Sequence, residues 1–219
     1  MASARRSPAG HAPLANGTPF VFAGERLWLD FVNSDDAIHS RGGARRDALD
    51  SFEGFVGWLS AAGILDDERA NSLRRRAQQQ PTGSSAALHE AQRLRSVLRE
   101  LAERGDAPDE RTTQTAIAEI NRILGRSAGT RRVESRTDGG FVRSFVTAGD
   151  VFAGLIIPVI ESAAEGLVSG ELMRIRKCAD PRCAHVFYDG SRNGKRRWCD
   201  MKTCGNRAKA ARHRRKQSE

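Results

Sequence analysis

The chain has 219 residues, of which 39% are hydrophobic and 29% charged, and its formal net charge is +9. This length accommodates one ordinary domain and a second, small one. The N-terminus lacks the apolar stretch of a secretory signal, and the longest apolar run, residues 151–160, is shorter than the ~20 residues that cross a bilayer. These features argue against an exported or membrane protein, so we expect a soluble cytoplasmic protein with no membrane partner.

The positive charge is concentrated at the C-terminal end. Residues 171–219 carry fifteen Lys or Arg and five Asp or Glu, a net of +10, whereas the other 170 residues carry 21 and 22, a net of −1. A basic block of one sign indicates a polyanionic partner such as a nucleic acid. The alternative is a solvated tail that binds nothing specific.

The N-terminal stretch has two parts. Residues 1–18 are rich in Ala, Pro, Ser and Gly and are expected to form a disordered arm. Residues 20–33 mix large apolar and polar side chains, and their periodicity fits a strand and a helix equally well. Asp30 and Asn33 lie among these apolar residues. We favour capping and turn hydrogen bonds for both; the alternative is contact with a small-molecule effector.

The region after residue 50 is predicted to be mainly helical. Apolar residues recur there at i, i+3, i+4 and i+7, with Asp50-Ser51 supplying an N-cap ahead of the first helix and Asp66 or Asp67 capping the second. Pro81 and Gly83 are expected to interrupt the pattern ahead of the third helix. The predicted helices span residues 52–62, 67–79, 85–104 and 109–124.

A β-hairpin is predicted next. Residues 131–137 and 141–146 flank the sequence Asp138-Gly139-Gly140, which is a hairpin turn signature. Asp150 would then cap an apolar helix over residues 151–168. Pro158 lies inside that run, so the helix is expected to be kinked there.

The four cysteines of the chain form two pairs, Cys178 with Cys183 and Cys199 with Cys204. Four residues separate the members of each pair, and fifteen separate the pairs. Four thiolates at this spacing suit one tetrahedral ion, and zinc is the ion that such a ligand set favours. A closed shell of four cysteines indicates one structural zinc ion; two disulfides or an iron–sulfur cluster are the alternatives.

The rest of the tail predicts a zinc knuckle, a hairpin and a helix, in the manner of a treble clef or a zinc ribbon. Val186–Tyr188 would pair with a return strand at 195–198 over a small core of Phe187 and Trp198. Asp200 would cap the helix that follows. The predicted fold class is therefore α+β. Residues 19–170 would form a mainly helical N-terminal domain that includes a β-hairpin, and residues 171–219 a small zinc-binding module.

The last helix is expected to have two faces. At 100° per residue, Arg207, Ala208, Ala211 and Arg215 fall on the side of the cysteines, and a stripe of cations falls on the opposite side. A stripe of this kind suits a helix that lies along phosphates or in a groove. With the basic residues between the cysteine pairs, the candidate nucleic-acid contacts are Arg192, Lys195, Arg196, Arg197, Lys202, Lys209, Arg212, His213 and Lys216.

Two segments carry a family resemblance. The run Arg196-Arg197-Trp198-Cys199-Asp200-Met201, with Cys204-Gly205-Asn206-Arg207 after it, resembles the CGNR zinc finger. Leu29-Asp30-Phe31-Val32-Asn33 and the helices after it are similar to the ABATE domain that commonly accompanies this finger. The resemblance implies zinc ligation by the four cysteines and nucleic-acid binding by the finger. Members of the family are regarded as bacterial, stress-induced transcription regulators.

The leading hypothesis is a DNA-binding transcription regulator that would locate to the nucleoid. Its near-neutral domain would sense a ligand or partner, or form a homodimer, while the basic finger holds DNA. A second hypothesis is an RNA- or ribosome-associated protein, because Phe187, Tyr188 and Trp198 could stack on bases. A third is a protein adaptor of the transcription machinery. No catalytic signature is present in the sequence, so an enzyme is not expected.

Overall fold

In the computed structural model of this chain, the residues described are 20–35, 47–105, 107, 109–126, 128–135 and 141–217. The predicted arm at 1–18 and the turn residues at 138–140 lie outside them. Seven α-helices and four strands form in the described part. In chain order they are α1 (Leu27–Val32), α2 (Phe52–Ala61), α3 (Asp67–Gln79), α4 (Pro81–Glu103), α5 (Glu110–Arg126), β1 (Gly129–Ser135), β2 (Phe141–Thr147), α6 (Ile157–Val168), β3 (Ile175–Lys177), β4 (Val186–Tyr188) and α7 (Asn206–Gln217).

The short helix α1 lies at the centre of the main core. It contacts α4, α6 and β4, and five of its six residues are buried. Phe31 packs edge-on against Trp58 of α2, with 5.3 Å between the ring centroids. Of the segment that periodicity left undecided, residues 27–32 are helical and residues 20–26 are neither helix nor strand.

The predicted first residues of α2 and α3 are correct, and in each helix a side chain caps the first turn. Ser51 accepts a hydrogen bond from the Gly54 N–H at 3.0 Å, and Asp66 accepts one from the Arg69 N–H at 2.7 Å. These bonds satisfy backbone donors that the first turn of a helix leaves without an intrahelical partner. The predicted caps of α2 and α3 are confirmed.

Two predictions about proline need correction. The helical pattern does break at Gln80, directly before Pro81, but Pro81 and Gly83 belong to α4, which begins at residue 81 and not at 85. Pro158 does not kink a long helix, because residues 151–156 form turns and α6 begins at Ile157. Both prolines occupy the first turn of a helix, where the missing N–H costs nothing and the fixed φ is already helical.

The predicted hairpin is confirmed as the antiparallel pair β1–β2. Gly129 pairs with Thr147 at one end and Ser135 pairs with Phe141 at the other. Phe145 of β2 is buried in the main core, and β2 contacts α6. The hairpin is thus attached to the helical body through β2.

The predicted pairing inside the metal module is wrong in one respect. β4 forms as expected, but its partner is β3, with Arg176 opposite Phe187, and residues 195–198 form no strand. The backbone of residues 195–198 has other hydrogen bonds. The Arg196 N–H donates to the Asp189 carboxylate at 2.9 Å, and the Arg197 carbonyl accepts from the Ala179 N–H at 2.8 Å. The cysteine knuckle is therefore the loop of the β3–β4 hairpin.

The helical body and the metal module share a core. Ile175 of β3 and Val186 of β4 are buried among the residues of the main helical core. Conversely, Ala23 from the N-terminal segment packs against the cluster of cysteines and Phe187. The sequence places a domain boundary at residue 170, where Gly170 adopts a positive φ of 70° before a 3₁₀ turn, but apolar packing continues across it.

Candidate metal centre and nucleic-acid interface

The four cysteines meet in one buried cluster. Cys178 and Cys183 lie in the loop between β3 and β4, Cys199 precedes a π-helical turn at Met201–Gly205, and Cys204 lies within that turn. Each offers one sulfur, and the four Sγ atoms lie within 4.8 Å of one another. The Asp200 side chain accepts hydrogen bonds from the N–H groups of Lys202 and Thr203, which confirms the predicted cap of this helical segment.

The spacing of the sulfurs fits zinc. The Sγ of Cys199 lies 3.7 Å from those of Cys183 and Cys204. A tetrahedron with zinc–sulfur bonds of about 2.3 Å has edges of about 3.8 Å. All four cysteines are free rather than disulfide-bonded, so the disulfide alternative is wrong. The donor set is closed and consists only of sulfur, which indicates one structural zinc ion.

The thiols perturb one another strongly. Hydrogen bonding with Cys178 raises the pKa of Cys183 to about 12, and hydrogen bonds with Cys178 and Cys183, together with burial, raise the pKa of Cys199. A divalent cation reverses this balance because it stabilises the thiolates directly. The cluster is therefore chemically suited to bind a cation and poorly suited to hold several thiolates alone.

Local hydrogen bonds shape the first cysteine pair into a knuckle. The Cys183 N–H donates to the Asp180 carbonyl at 2.8 Å, and the Cys178 N–H donates to the His185 carbonyl at 2.9 Å. The Asp180 carboxylate also accepts from the Arg182 N–H at 3.0 Å. These bonds hold the loop in a conformation in which both sulfurs lie on the side of the second cysteine pair.

Arg207 joins the last helix to the metal centre. Its Nη2 donates to the Cys204 Sγ at 2.9 Å, and its Nε donates to the Asp180 carboxylate at 2.8 Å. Burial of Asp180 acts to raise its pKa, but the Arg182 N–H and the Arg207 guanidinium outweigh that effect and the pKa is lowered. One guanidinium thus bridges both cysteine pairs and supports the charge of a ligand.

Replacing Arg207 with Ala is expected to weaken zinc retention by about 10- to 100-fold, the usual effect of losing a hydrogen bond to a metal ligand. Transfer of zinc to a chromogenic chelator measures it. Arg212→Ala, on the exposed side of the same helix, is the matched control and should behave like the unmodified protein. Equal retention in the two variants would show that the Cys204–Arg207 bond does not support the metal.

Arg196 is partly buried and bonded to the module. Its guanidinium donates to the carbonyls of Trp198 and Cys199, pairs with Glu25, and lies over the Phe187 ring at 4.6 Å from the centroid. The other members of the predicted nucleic-acid set are exposed. They are Arg192, Lys195, Arg197, Lys202, Lys209, Arg212, His213 and Lys216.

The last helix has the two predicted faces in its first half only. Arg207, Ala208 and Ala211 are half-buried against the module, whereas Lys209 and every residue from 212 to 217 are exposed. Arg215, which the helical wheel placed on the inner side, is exposed as well. Phe187 is fully buried with Trp198 packed against it, so the predicted small core is confirmed.

The two polar residues of the N-terminal segment hold the body and the module together. The Asn33 carboxamide donates to the Val186 carbonyl at 2.8 Å and accepts from the Val186 N–H at 3.0 Å. The Asp30 carboxylate accepts from the Gly24 N–H at 2.7 Å. The Gly24 carbonyl in turn accepts from the Tyr188 N–H at 3.0 Å. Both side chains thus make turn-type and bridging hydrogen bonds.

Sequence reasoning did not assign several residues of this joint. Arg26 forms a two-bond ion pair with Glu171, and its guanidinium lies 3.9 Å from the centroid of the Tyr188 ring. Asp189 is completely buried and accepts from the N–H groups of Ser191 and Arg196. The bonds of Asp189 are local, whereas the ion pair of Arg26 with Glu171 joins residues 145 positions apart, so no local pattern marks it.

The fold and the site define a class: a helical domain joined to a four-cysteine zinc finger. None of the helices in the described part of the chain is both long and apolar enough to cross a bilayer. Residues 25–170 match the ABATE family model, described as "Putative stress-induced transcription regulator", and residues 174–217 match the CGNR zinc finger model. Because the first match covers more than half of the chain, the chain belongs to the ABATE family. A comparison with curated proteins found no significant match.

Proposed function

We propose that this protein is a DNA-binding transcription regulator whose zinc finger presents α7 to duplex DNA. The observation that carries the proposal is the composition of α7. Its twelve residues include six Lys or Arg and no carboxylate, and the helix is anchored at the metal centre through Arg207. A regulator of this kind would act in the cytoplasm, at the nucleoid.

The dimensions of α7 suit a duplex. Twelve residues at about 1.5 Å each give a helix about 18 Å long, which matches several phosphates along one groove. Anchoring at one end fixes the direction of the exposed cations, so less conformational freedom is lost when DNA binds. The exposed residues Arg192, Lys195 and Arg197 add positive charge on the loop between the cysteine pairs.

The packing of the module's aromatic residues favours DNA over single-stranded RNA. Recognition of single strands relies on aromatic side chains that stack on splayed bases. Phe187 has no exposed surface, Tyr188 is covered by Arg26, and Trp198 packs against the module's core. Competition between a duplex DNA and a single-stranded RNA of matched length tests this preference, and tighter binding of the RNA would favour the alternative function.

The proposed role of the helical body is to receive a signal, from a small-molecule effector or a partner protein. The shared core and the Asn33–Val186 bonds give a direct route from the body to the finger. A ligand that contacted Asp30 and Asn33 would have to replace hydrogen bonds to Gly24 and Val186. Binding there would therefore change how the finger is held, and this ligand contact stays a prediction.

Reversing three charges on the exposed face of α7 tests the proposal. Lys209→Glu, Arg212→Glu and Lys216→Glu together are expected to weaken duplex binding at least about 100-fold, because phosphate contacts are replaced by repulsion. Fluorescence anisotropy with a labelled duplex measures the affinity. Zinc content and the thermal unfolding midpoint should stay unchanged, since these side chains are exposed.

The matched control is Arg75→Glu, Arg76→Glu and Arg111→Glu. These arginines are exposed on α3 and α5, and their reversal changes the net charge by the same amount. The control should lose only the small part of the affinity that depends on total charge. Equal losses in the two triple variants would mean that α7 is not the contact surface.

A further inference from the structure

The outer edge of β1 is the most exposed strand surface in the described part of the chain. Six of its seven residues are exposed, and Glu134 is half-buried. β2 contacts α6 and carries the buried Phe145, whereas β1 reaches the body through ion pairs of Arg131 with Glu161 and of Glu134 with Arg69. Among the described residues, no other strand pairs with β1. Its outer backbone groups are therefore available to another strand.

One face of the hairpin carries exposed apolar side chains beyond the point where the body covers it. Val133, Phe141 and Phe145 share a face, because Val133 pairs with Arg143 and Ser135 pairs with Phe141. Phe145 is buried, but Val133 is 71% exposed and Phe141 is 74% exposed. Two exposed apolar side chains at diagonal positions of an open strand pair are a feature that a second strand on this edge would help to cover.

The sequence of β1 is complementary to itself. When two copies pair antiparallel about a two-fold axis at Val133, Arg132 of each copy lies opposite Glu134 of the other. Val133 then lies opposite its own counterpart. Glu134 has Arg69 as a neighbour, with 3.8 Å between Nη1 and Oε2, and both side chains remain more than a third exposed. The charged groups of Arg132 and Glu134 on β1 are thus accessible to a second copy.

We propose that β1 is a dimerisation strand, which pairs with β1 of a second copy in the register centred on Val133. The result is a four-stranded antiparallel sheet in which the two Val133 side chains lie opposite each other at the two-fold axis, on the face that also carries Phe141. A four-stranded sheet is more stable than an isolated two-stranded one. The dimer carries two zinc fingers, and its existence does not depend on whether those fingers bind DNA.

Charge reversal tests the register. Arg132→Glu places two Glu–Glu pairs in the interface, and Glu134→Arg places two Arg–Arg pairs there. Each variant alone is expected to dissociate the dimer about 30-fold more readily, or further. A mixture of the two variants restores opposite charges at every position and should form a heterodimer. Sedimentation equilibrium over a range of protein concentrations measures all three, and thermal unfolding verifies that each variant is folded.

A cross-link provides an independent measurement. Val133→Cys brings two thiols together at the two-fold axis, where paired residues lie about 4.5–5.5 Å apart between Cα atoms, so mild oxidation should yield a covalent dimer. Thr130→Cys is the matched control, because its counterpart would lie about 20 Å away. The idea is wrong if the unmodified zinc-loaded protein stays monomeric at high micromolar concentration, if the variant mixture remains monomeric, or if both cysteine variants cross-link equally.

Discussion

Replacing Cys199 with Ser is expected to unfold the zinc finger and, in addition, to lower the stability of the helical body. Structural zinc in small modules contributes on the order of 10 kcal/mol of folding free energy. The finger cannot replace that contribution, since its own core consists of the cysteines, Phe187 and the packed Trp198. Duplex binding should be lost with the finger, because α7 is anchored at Cys204 and Asp180.

The effect on the body follows from the shared core. From the sequence alone, the body is expected to stay folded without metal, because it has its own helices. In the structure, however, Ile175 and Val186 belong to the body's core and are held by the hairpin that carries Cys178 and Cys183. Exposing two such side chains costs about 3–6 kcal/mol, which lowers the thermal midpoint by about 10 °C.

Differential scanning calorimetry of Cys199→Ser and of Arg192→Ser measures the change in the body's unfolding midpoint. Arg192 is exposed in the same module, so its replacement controls for a change of surface in the finger. Removing zinc from the unmodified protein with a chelator should reproduce the result of the cysteine variant. A body whose unfolding midpoint is the same with and without zinc would show that the two parts are energetically independent.

Replacing Asn33 with Asp is expected to destabilise the protein by about 3–5 kcal/mol, although the two side chains have the same shape. The amide both donates to and accepts from the Val186 backbone, and Asn33 is only 1% exposed. A carboxylate cannot donate, so the Val186 carbonyl would lose its partner and face a buried negative charge. An unpaired carbonyl and an uncompensated carboxylate are both costly in a buried position, because no water can solvate them.

Urea unfolding of Asn33→Asp and of Asn71→Asp measures the difference. Asn71 lies on the exposed surface of α3, where its side chain accepts a hydrogen bond from Arg74, so the same substitution there should change stability by less than about 0.5 kcal/mol. Similar losses at the two positions would refute the role of Asn33 as the joint between α1 and β4.

Local features of the fold could be predicted from the sequence. Ser51, Asp66 and Asp200 cap helices as expected, because an N-cap acts within three residues of its own position. The four metal ligands were equally accessible to prediction, since their residue type and spacing alone define the donor set.

Features set by distant contacts could not be predicted. β3 has three residues and no measurable periodicity, so nothing local marks Ile175 as the partner of Tyr188. The difference between a proline that kinks a helix and one that begins it depends on where residues 151–156 pack. Similarly, a charge pattern cannot separate Arg196, which is partly buried and bonded to the module, from its exposed neighbours Lys195 and Arg197.

The salt dependence of duplex binding tests the central claim most directly. If α7 and the adjoining loop contact about six phosphates, the logarithm of the association constant should fall with the logarithm of salt concentration with a slope near −5. This slope should appear in the zinc-loaded protein and disappear in Cys199→Ser. An affinity that is flat between low and physiological salt, or a slope that is unchanged when zinc is lost, would contradict the account of a metal-ordered, DNA-binding helix.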